Sequence, residues 1–447
     1  MYISLFFSPC TNYLKSPLLN TMVAAGIRTK VFPRTDRVLI ENSTNKVYIR
    51  SLSRDLDSYK VDDMKGEDLS LFLSFVANLA YKIYPNMAEH YSCNNNESTP
   101  FEDVKTAFTC SSKLMAGIGH SQLVDIVIVF FQKYMPRAIV NLPWSTKNPV
   151  VLMTHDIDGP FLHSPFAIIR SFLMSCQGDK KELSALLFGI SSLLTGSKDP
   201  FNNLEEWPQF LAGLCSRYHS STYFLSSRPC LSTPWSREVS YRVDDKRFRV
   251  ILPLINSQVV ELGFHHPRSH LSHSQLSASK LRLESLYNTS IVGNRSHYWA
   301  HIYPDPLSFW RRLSNCGFSY DCTLSSKSIF LPNGISSPFM PFIDSEIKQD
   351  KRFVAFPTHI MDAYWFKHVS TQQDADRYVS SLRPPAFLCL DWHIRTLSNL
   401  GPWKGYLLSL LRLLSTYRDV TPRLMSAQCV YRLWTDHVEE CLWIDHN

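Results

Sequence analysis

Beyond Pro149 the chain alternates short apolar runs with amphipathic stretches. Val150-Val151-Leu152-Met153, Ser221–Leu225, Val259–Phe264, Ser290-Ile291-Val292, Phe353–Phe356 and Ala386–Leu390 read as buried strands. Between them Leu204–Tyr218, Gln275–Tyr287, Pro306–Cys316 and Tyr406–Tyr417 space their apolar residues by three and four, as helices do. Alternating strands and helices predict an α/β fold with a parallel sheet under covering helices, open or closed into a barrel. The long stretch between Gly159 and Ser221 puts Leu183, Leu186, Leu187, Ile190, Leu193 and Leu194 on one helical stripe, expected to pack on the barrel.

Upstream the pattern changes. Arg37–Glu41 and Lys46–Arg50 flank a turn-rich Asn42-Ser43-Thr44-Asn45, a hairpin pattern, and Leu69–Tyr84 and Leu123–Met135 have helical spacing. The turn-rich stretch from Pro143 to Pro149 is the best boundary. It divides an N-terminal α/β accessory region, 1–145, which shows no catalytic cluster, from a second region, 146–447.

Composition narrows the classes. Hydrophobic residues make up 45% of the 447 and charged residues 19%, a globular balance that excludes wholesale disorder. The net charge of +7 is scattered, so no nucleic-acid surface is announced. Eleven cysteines, an odd number with no C-x-x-C pair, argue against a disulfide framework or zinc knuckle and for a reducing compartment. The opening residues lack a positive n-region and a small-residue cleavage site. The apolar run Leu183–Ser197 falls short of the roughly 20 residues that cross a bilayer. The expectation is a cytoplasmic protein with no transmembrane segment.

Chemistry is concentrated where the apolar runs stop. Thr154-His155-Asp156-Ile157-Asp158-Gly159, His265-His266, Arg295-Ser296-His297 and Asp391-Trp392-His393 each follow a strand-like run, and a (β/α) barrel gathers its site at the carboxyl ends of its strands. Asp156 and Asp158 are two apart, which points both to one face in extended backbone and suits one for a cation and the other for a proton. Taken alone, Asp-Ile-Asp-Gly could equally cap a turn. His265, His266, His270 and His273 crowd into a short stretch, and imidazoles with a carboxylate are what zinc takes while keeping a position open for water.

These residues resemble the NodB-homology polysaccharide deacetylases of carbohydrate esterase family four. Thr154-His155-Asp156-Ile157-Asp158 resembles a T-H-D-x-D motif, and Glu261-Leu262-Gly263-Phe264-His265 resembles an E-I-G-x-H motif. Gly293-Asn294-Arg295-Ser296-His297-Tyr298-Trp299 is similar to G-x-R-x-H-Y, Gly317–Leu324 to G-F-x-Y-D-S-S-L, and Leu388–His393 to the final motif. The likeness spans about residues 148 to 400, with the motifs in order. It implies a deformed (β/α) barrel of NodB-homology type. The implied enzyme is a metal-dependent hydrolase that removes N-acetyl groups from a saccharide or glycan.

By the same resemblance Asp156 is the base, Asp158 and His265 are metal ligands, Arg295 orients the base and His393 is the acid, with a divalent metal, zinc by preference. The third ligand stays open. Ser269 stands where H-[ST]-x-x-H counted from His265 needs its second histidine, whereas His266 and His270 have that spacing and His297 shares the face of Arg295. Trp392 and His266 are expected to touch substrate, and Asp362 is either another substrate contact or a solvated surface residue. A carbohydrate-binding relative with an incomplete metal site, and a different amide or ester metallohydrolase on the same barrel, are the rival readings.

Overall fold

The computed structural model describes residues 3–7, 15–25, 27, 29–31, 46–49, 127, 140–145, 147–227, 239, 241–301, 305–325, 337–342, 352–363, 386–400, 403–417 and 420–444. The expected strand Arg37–Glu41 and helices Leu69–Tyr84 and Leu123–Met135 lie outside these residues, apart from Val127.

In chain order the strands are β1 (Ile3–Phe7), β2 (Thr29–Val31), β3 (Lys46–Ile49), β4 (Val150–Asp156), β5 (Ser221–Leu225), β6 (Val260–His266) and β7 (Gly293–Ser296). They continue with β8 (Tyr320–Asp321), β9 (Val354–Ala355), β10 (Ile360–Met361), β11 (Phe387–Asp391), β12 (Arg423–Met425) and β13 (Leu442–Ile444). A small sheet has the order β13-β2-β1-β3 with every pair parallel, so its outer strand comes from the far end of the chain.

The large sheet runs β10-β11-β4-β5-β6-β7-β8-β9, also all parallel, with β12 laid against the first half of β4. Its two outer strands, β9 and β10, are pieces of one stretch of chain. The Thr358 N–H donates to Leu324 O at 2.7 Å on one side, and the His359 N–H to Cys389 O at 3.0 Å on the other. The sheet therefore curls until both edges share a segment, consistent with the deformed barrel expected. Every residue of β4 is buried, as in a parallel sheet covered on both faces.

Parallel pairing puts all carboxyl ends on one rim. What stops the strands there is local. After β6, Pro267 removes a ladder donor, and Ser272 with Gln275 forms a capping box that starts helix His273–Tyr287. Ser426 caps helix Ala427–Cys441 with its hydroxyl on the Cys429 N–H.

The insertion after β4 folds as a hairpin of two helices, Pro165–Cys176 and Lys180–Leu194. Ser164 caps the first, with Pro165 in its opening turn. Asp199 ties the two ends of the insertion together: its carboxylate accepts from Leu162 N at 2.9 Å, His163 N at 2.8 Å and Phe201 N at 3.0 Å. Of the apolar stripe expected to pack on the barrel only Leu186 is buried, while Leu183, Leu187, Ile190, Leu193 and Leu194 are exposed. The buried face is instead Leu186 with the small residues Ala185, Gly189 and Ser192; a Cβ on Gly189 would press on Leu162. Among the described residues no helix is long and apolar enough to cross a membrane.

Candidate active site

β4, β6, β7 and β11 deliver their last residues to the same rim, and period-two alternation decides which side chains turn inward. Thr154 and Asp156 of β4, Arg295 of β7 and Asp391 of β11 meet inside the curl. The Arg295 guanidinium, fully buried, donates to Thr154 Oγ1 at 2.7 Å, Asp156 Oδ1 at 3.3 Å and Thr358 Oγ1 at 3.0 Å, and lies 3.0 Å from Asp391 Oδ1. Its Nε donates to Cys322 O at 3.1 Å, so the plane of the fork is fixed.

One cation faces two carboxylates, and they respond in opposite directions. Burial raises the Asp156 carboxyl, but His265 and Arg295 more than compensate and hold it below the usual range. For Asp391 the balance goes the other way: burial pushes it well above the carboxylate range despite Arg295 and His393, and the neighbouring Asp156 adds to the rise. The ionised member is thus Asp156, the one nearer the rim.

Asp158, just past the strand, collects the imidazoles. Its Oδ1 lies 3.0 Å from His265 Nε2, and its Oδ2 lies 2.9 Å from His393 Nε2 and 3.5 Å from His297 Nε2. Burial raises this carboxyl as well, yet His297, His265 and His393 together hold it well below its ordinary value. His393 is shifted the other way. Burial lowers it, but Asp362 and Asp158 outweigh burial and raise it well above 6.5.

Asp158, His265 and His297 each offer one ligand atom, all within 4.8 Å of one another. Asp158 Oδ1 and His265 Nε2, 3.0 Å apart, are not aligned as a hydrogen bond, and His265 Nδ1 is buried without a hydrogen-bond partner. Unsatisfied buried lone pairs are costly unless something takes them up, and one carboxylate with two imidazoles is a donor set that suits a divalent cation with an open coordination position. The residues present therefore fit a metal.

Of the candidates for the third ligand, His297 is the one that lies with Asp158 and His265. His270 is exposed and does not join the cluster; its Nε2 accepts from Arg312 Nη1 at 2.7 Å, because the chain after Pro267 leaves the rim to start the next helix. Neither expected substrate contact reaches the rim. His266 alternates outward from His265, is fully buried against His301 and Phe309 with its Nδ1 donating to Pro267 O at 2.7 Å, and burial lowers its pKa to about 3. Trp392 alternates outward from Asp391 into the hydrophobic core and is likewise fully buried.

Three further groups stand at the site: Arg395 and Trp403, which the sequence reading did not name, and Asp362, which it left between a substrate contact and a surface residue. Asp362 is no surface residue: fully buried, it accepts from His393 through two hydrogen bonds. Arg395 lies 3.7 Å from Asp158 Oδ2. Trp403, half-buried, stacks on His393 with centroids 6.1 Å apart and carries the Arg395 guanidinium 4.0 Å above its ring. Arg395 and Trp403 follow the final motif closely, which is the one signal for them in the sequence. A cavity of about 370 Å³ lies beyond Gly159, lined also by Phe161, Tyr241, Arg242, Asp244, Asp245 and Arg247; none of the cluster residues lines it.

Other motif residues build the frame. Glu261 accepts from Thr222 Oγ1 at 3.0 Å, from Gln428 N at 2.7 Å and from Tyr320 Oη, and Asp321 accepts from Asn294 Nδ2 at 2.7 Å and Trp310 Nε1 at 2.9 Å. Both are fixed away from the rim.

No protein-family profile and no curated protein matches this chain. Among solved structures it is similar to one from Mycobacterium smegmatis described as a candidate polysaccharide deacetylase, at 14% identity and TM-score 0.40, over 67% of this chain and 93% of that one. A second is from Bordetella bronchiseptica, described as a candidate polysaccharide deacetylase involved in O-antigen biosynthesis, at 14% identity and TM-score 0.29, over 65% of this chain and 90% of that one. At these scores the likeness carries no weight in assigning an activity.

Proposed function

We propose that this chain is a metal-dependent hydrolase that removes N-acetyl groups from a saccharide. The observation that carries the reading is the convergence, on one rim, of a carboxylate–imidazole cluster (Asp158, His265, His297) between a base held by an arginine (Asp156, Arg295) and an acid held by a carboxylate (His393, Asp362). A divalent cation held by Asp158, His265 and His297, zinc by preference, supplies a Lewis acid for the amide carbonyl and makes water acidic enough to react near neutral pH.

The chain's own groups do the rest. Asp156, kept ionised by Arg295, accepts the proton of the attacking water. His393, kept protonated by Asp362, donates to the departing amine, and the amine leaves as a neutral group. Asp391, buried behind Arg295, stays neutral and leaves the guanidinium charge to the base. Trp403 walls the acid side.

Incubation of the protein with N-acetylated mono- and oligosaccharides, before and after chelation and with zinc, cobalt or nickel restored, tests the assignment. Metal-dependent release of acetate is expected. Stoichiometric metal with no acetate released from any of these saccharides, but hydrolysis of simple esters or acyclic amides, would place the chain among other metallohydrolases.

A further inference from the structure

We infer that Arg395 is a substrate-binding residue that takes an oxyanion carried by the sugar, a carboxylate or a phosphate, so that the saccharide this site prefers is acidic. That the ligand is a sugar rests on the deacetylase reading above; that it is anionic rests on Arg395 itself. The guanidinium lies over the Trp403 ring, 4.0 Å from its centroid. A side chain at position 159 would crowd it, since a Cβ on Gly159 would stand 3.2 Å from Nη1, and glycine leaves that space open. A guanidinium is planar and its N–H bonds lie in the plane. An aromatic ring against its face therefore supports it and leaves the fork of donors along its edge for a carboxylate or phosphate. The Arg395 side chain is 13% exposed and that of Asp158 11%, so both reach the rim.

The neighbouring charges leave this fork without an acceptor. The nearest carboxylate oxygen, Asp158 Oδ2, is 3.7 Å away, beyond hydrogen-bond length, and already accepts from His393 Nε2 at 2.9 Å. Among the described residues no N–H of Arg395 has a hydrogen-bond partner, and its Nε is buried as well. The other charges at the rim are matched. Arg295 holds Asp156, Asp362 holds His393, and Asp158 is the carboxylate that a divalent cation would occupy. The arginines of the cavity beyond Gly159 are matched too, Arg242 by both oxygens of Asp244 and Arg247 by both oxygens of Asp245. Arg395 is thus a full positive charge, two residues past the acid, with no counter-ion of its own among the described residues. A held guanidinium edge with open donors is the usual recognition element for an oxyanion, and a charged hydrogen bond is among the stronger contacts a ligand can make.

Isothermal titration calorimetry of the zinc-loaded full chain reads the anion without requiring turnover. The three ligands are N-acetylglucosamine, its 6-phosphate and 2-acetamido-2-deoxyglucuronic acid. At least one acidic sugar should bind about tenfold or more tighter than the neutral one, and which of them does so distinguishes phosphate from carboxylate. In Arg395→Gln that preference should fall to about one. Arg395→Lys keeps the charge without the fork and should retain an intermediate preference; it also serves if the glutamine variant fails to fold, as a melting temperature would show. Equal binding of all three sugars by the wild type, or no binding of any, overturns the inference. So does a preference that survives in Arg395→Gln and disappears when the zinc is removed, because the anion would then sit on the metal. Acetate release from the same sugars tests the deacetylase reading separately: an acidic sugar held through Arg395 but never deacetylated would sink that reading and leave this one standing.

Discussion

Asp362 and His393 are locked together at two points: His393 Nδ1 donates to Asp362 Oδ1 at 2.8 Å, and the His393 backbone N–H donates to Oδ2, also at 2.8 Å. The first bond fixes the tautomer and charge of the ring; the second fixes where the ring starts. Nε2 is thereby aimed at the rim, 2.9 Å from Asp158 Oδ2. Asp362→Asn keeps the shape but removes the charge that holds the proton on His393. The expected outcome is a fall in kcat of about 10²–10⁴, with metal content and KM near the wild-type values, read by acetate release and elemental analysis. Loss of metal in step with activity would show that Asp362 supports the metal cluster and not the acid.

The two candidates for third ligand separate cleanly by mutation. His297 Nε2 faces Asp158, whereas His270 is spent on Arg312. His297→Ala should weaken zinc affinity by a factor of about 100 or more in competition with a chromophoric chelator, since one of three protein ligands is lost. His270→Ala should leave affinity unchanged.

Asp156 and Asp158 are neighbours with different partners, Arg295 for the first and three imidazoles for the second. Asp156→Asn is expected to lower turnover by about 10³-fold or more while metal content stays near normal. Asp158→Ala is expected to lose the metal. Equal metal loss in both would show that the base and ligand assignments are wrong.

The frame of this site is legible in the sequence because parallel strands covered on both faces must be apolar along their length, and the residues that end them then stand out. Asp156, Asp158, His265, Arg295 and His393 were singled out in that way, and the structure brings all five together. What fails is parity. Trp392 and His266 each sit one residue from an inward-facing group, and a one-residue step on a strand is a change of face. The role of Asp362 was hidden because its link to His393 depends on β10 lying beside β11, a pairing that local periodicity does not report. The hairpin was misread for another reason: its stripe of leucines looks like a core-facing stripe, and Ala185, Gly189 and Ser192, which are buried in its place, give little hydrophobic signal.

Two motif glycines have a steric explanation that stability measurements can check. A Cβ on Gly263 would clash with the ring of Phe224, and one on Gly293 with the ring and hydroxyl of Tyr320. Both rings are fully buried and have no room to withdraw. Gly263→Ala and Gly293→Ala should each cost about 1–3 kcal/mol in chemical denaturation, the usual penalty for overpacking a core. Gly213→Ala, where nothing stands within reach of the added carbon, should fall within about 0.5 kcal/mol of wild type or be slightly stabilising, because alanine favours a helix.

His155 gives the fold a dependence on pH that is separate from catalysis. It points away from the site, with its ring 5.0 Å from Trp207 and 5.3 Å from Tyr223, and its Nδ1 donates to Trp392 O at 2.5 Å. The acceptor is a carbonyl, so Nδ1 carries the hydrogen and the buried Nε2 is bare. Protonating that nitrogen would bury an unpaired charge, and burial accordingly lowers the pKa from 6.5 to about 4. In the unfolded chain the same ring takes a proton near 6.5. Between pH 6.5 and 4 the unfolded state therefore binds more protons than the folded one, and stability falls as the pH falls. The shift corresponds to about 3 kcal/mol at most, fully present above pH 6.5 and lost by about pH 4. Urea denaturation across that range should show the slope. His155→Asn, which keeps a donor for Trp392 O but cannot be protonated, should lose this component of the slope while retaining those of the other titrating groups; an identical slope in the variant would place the acid sensitivity elsewhere.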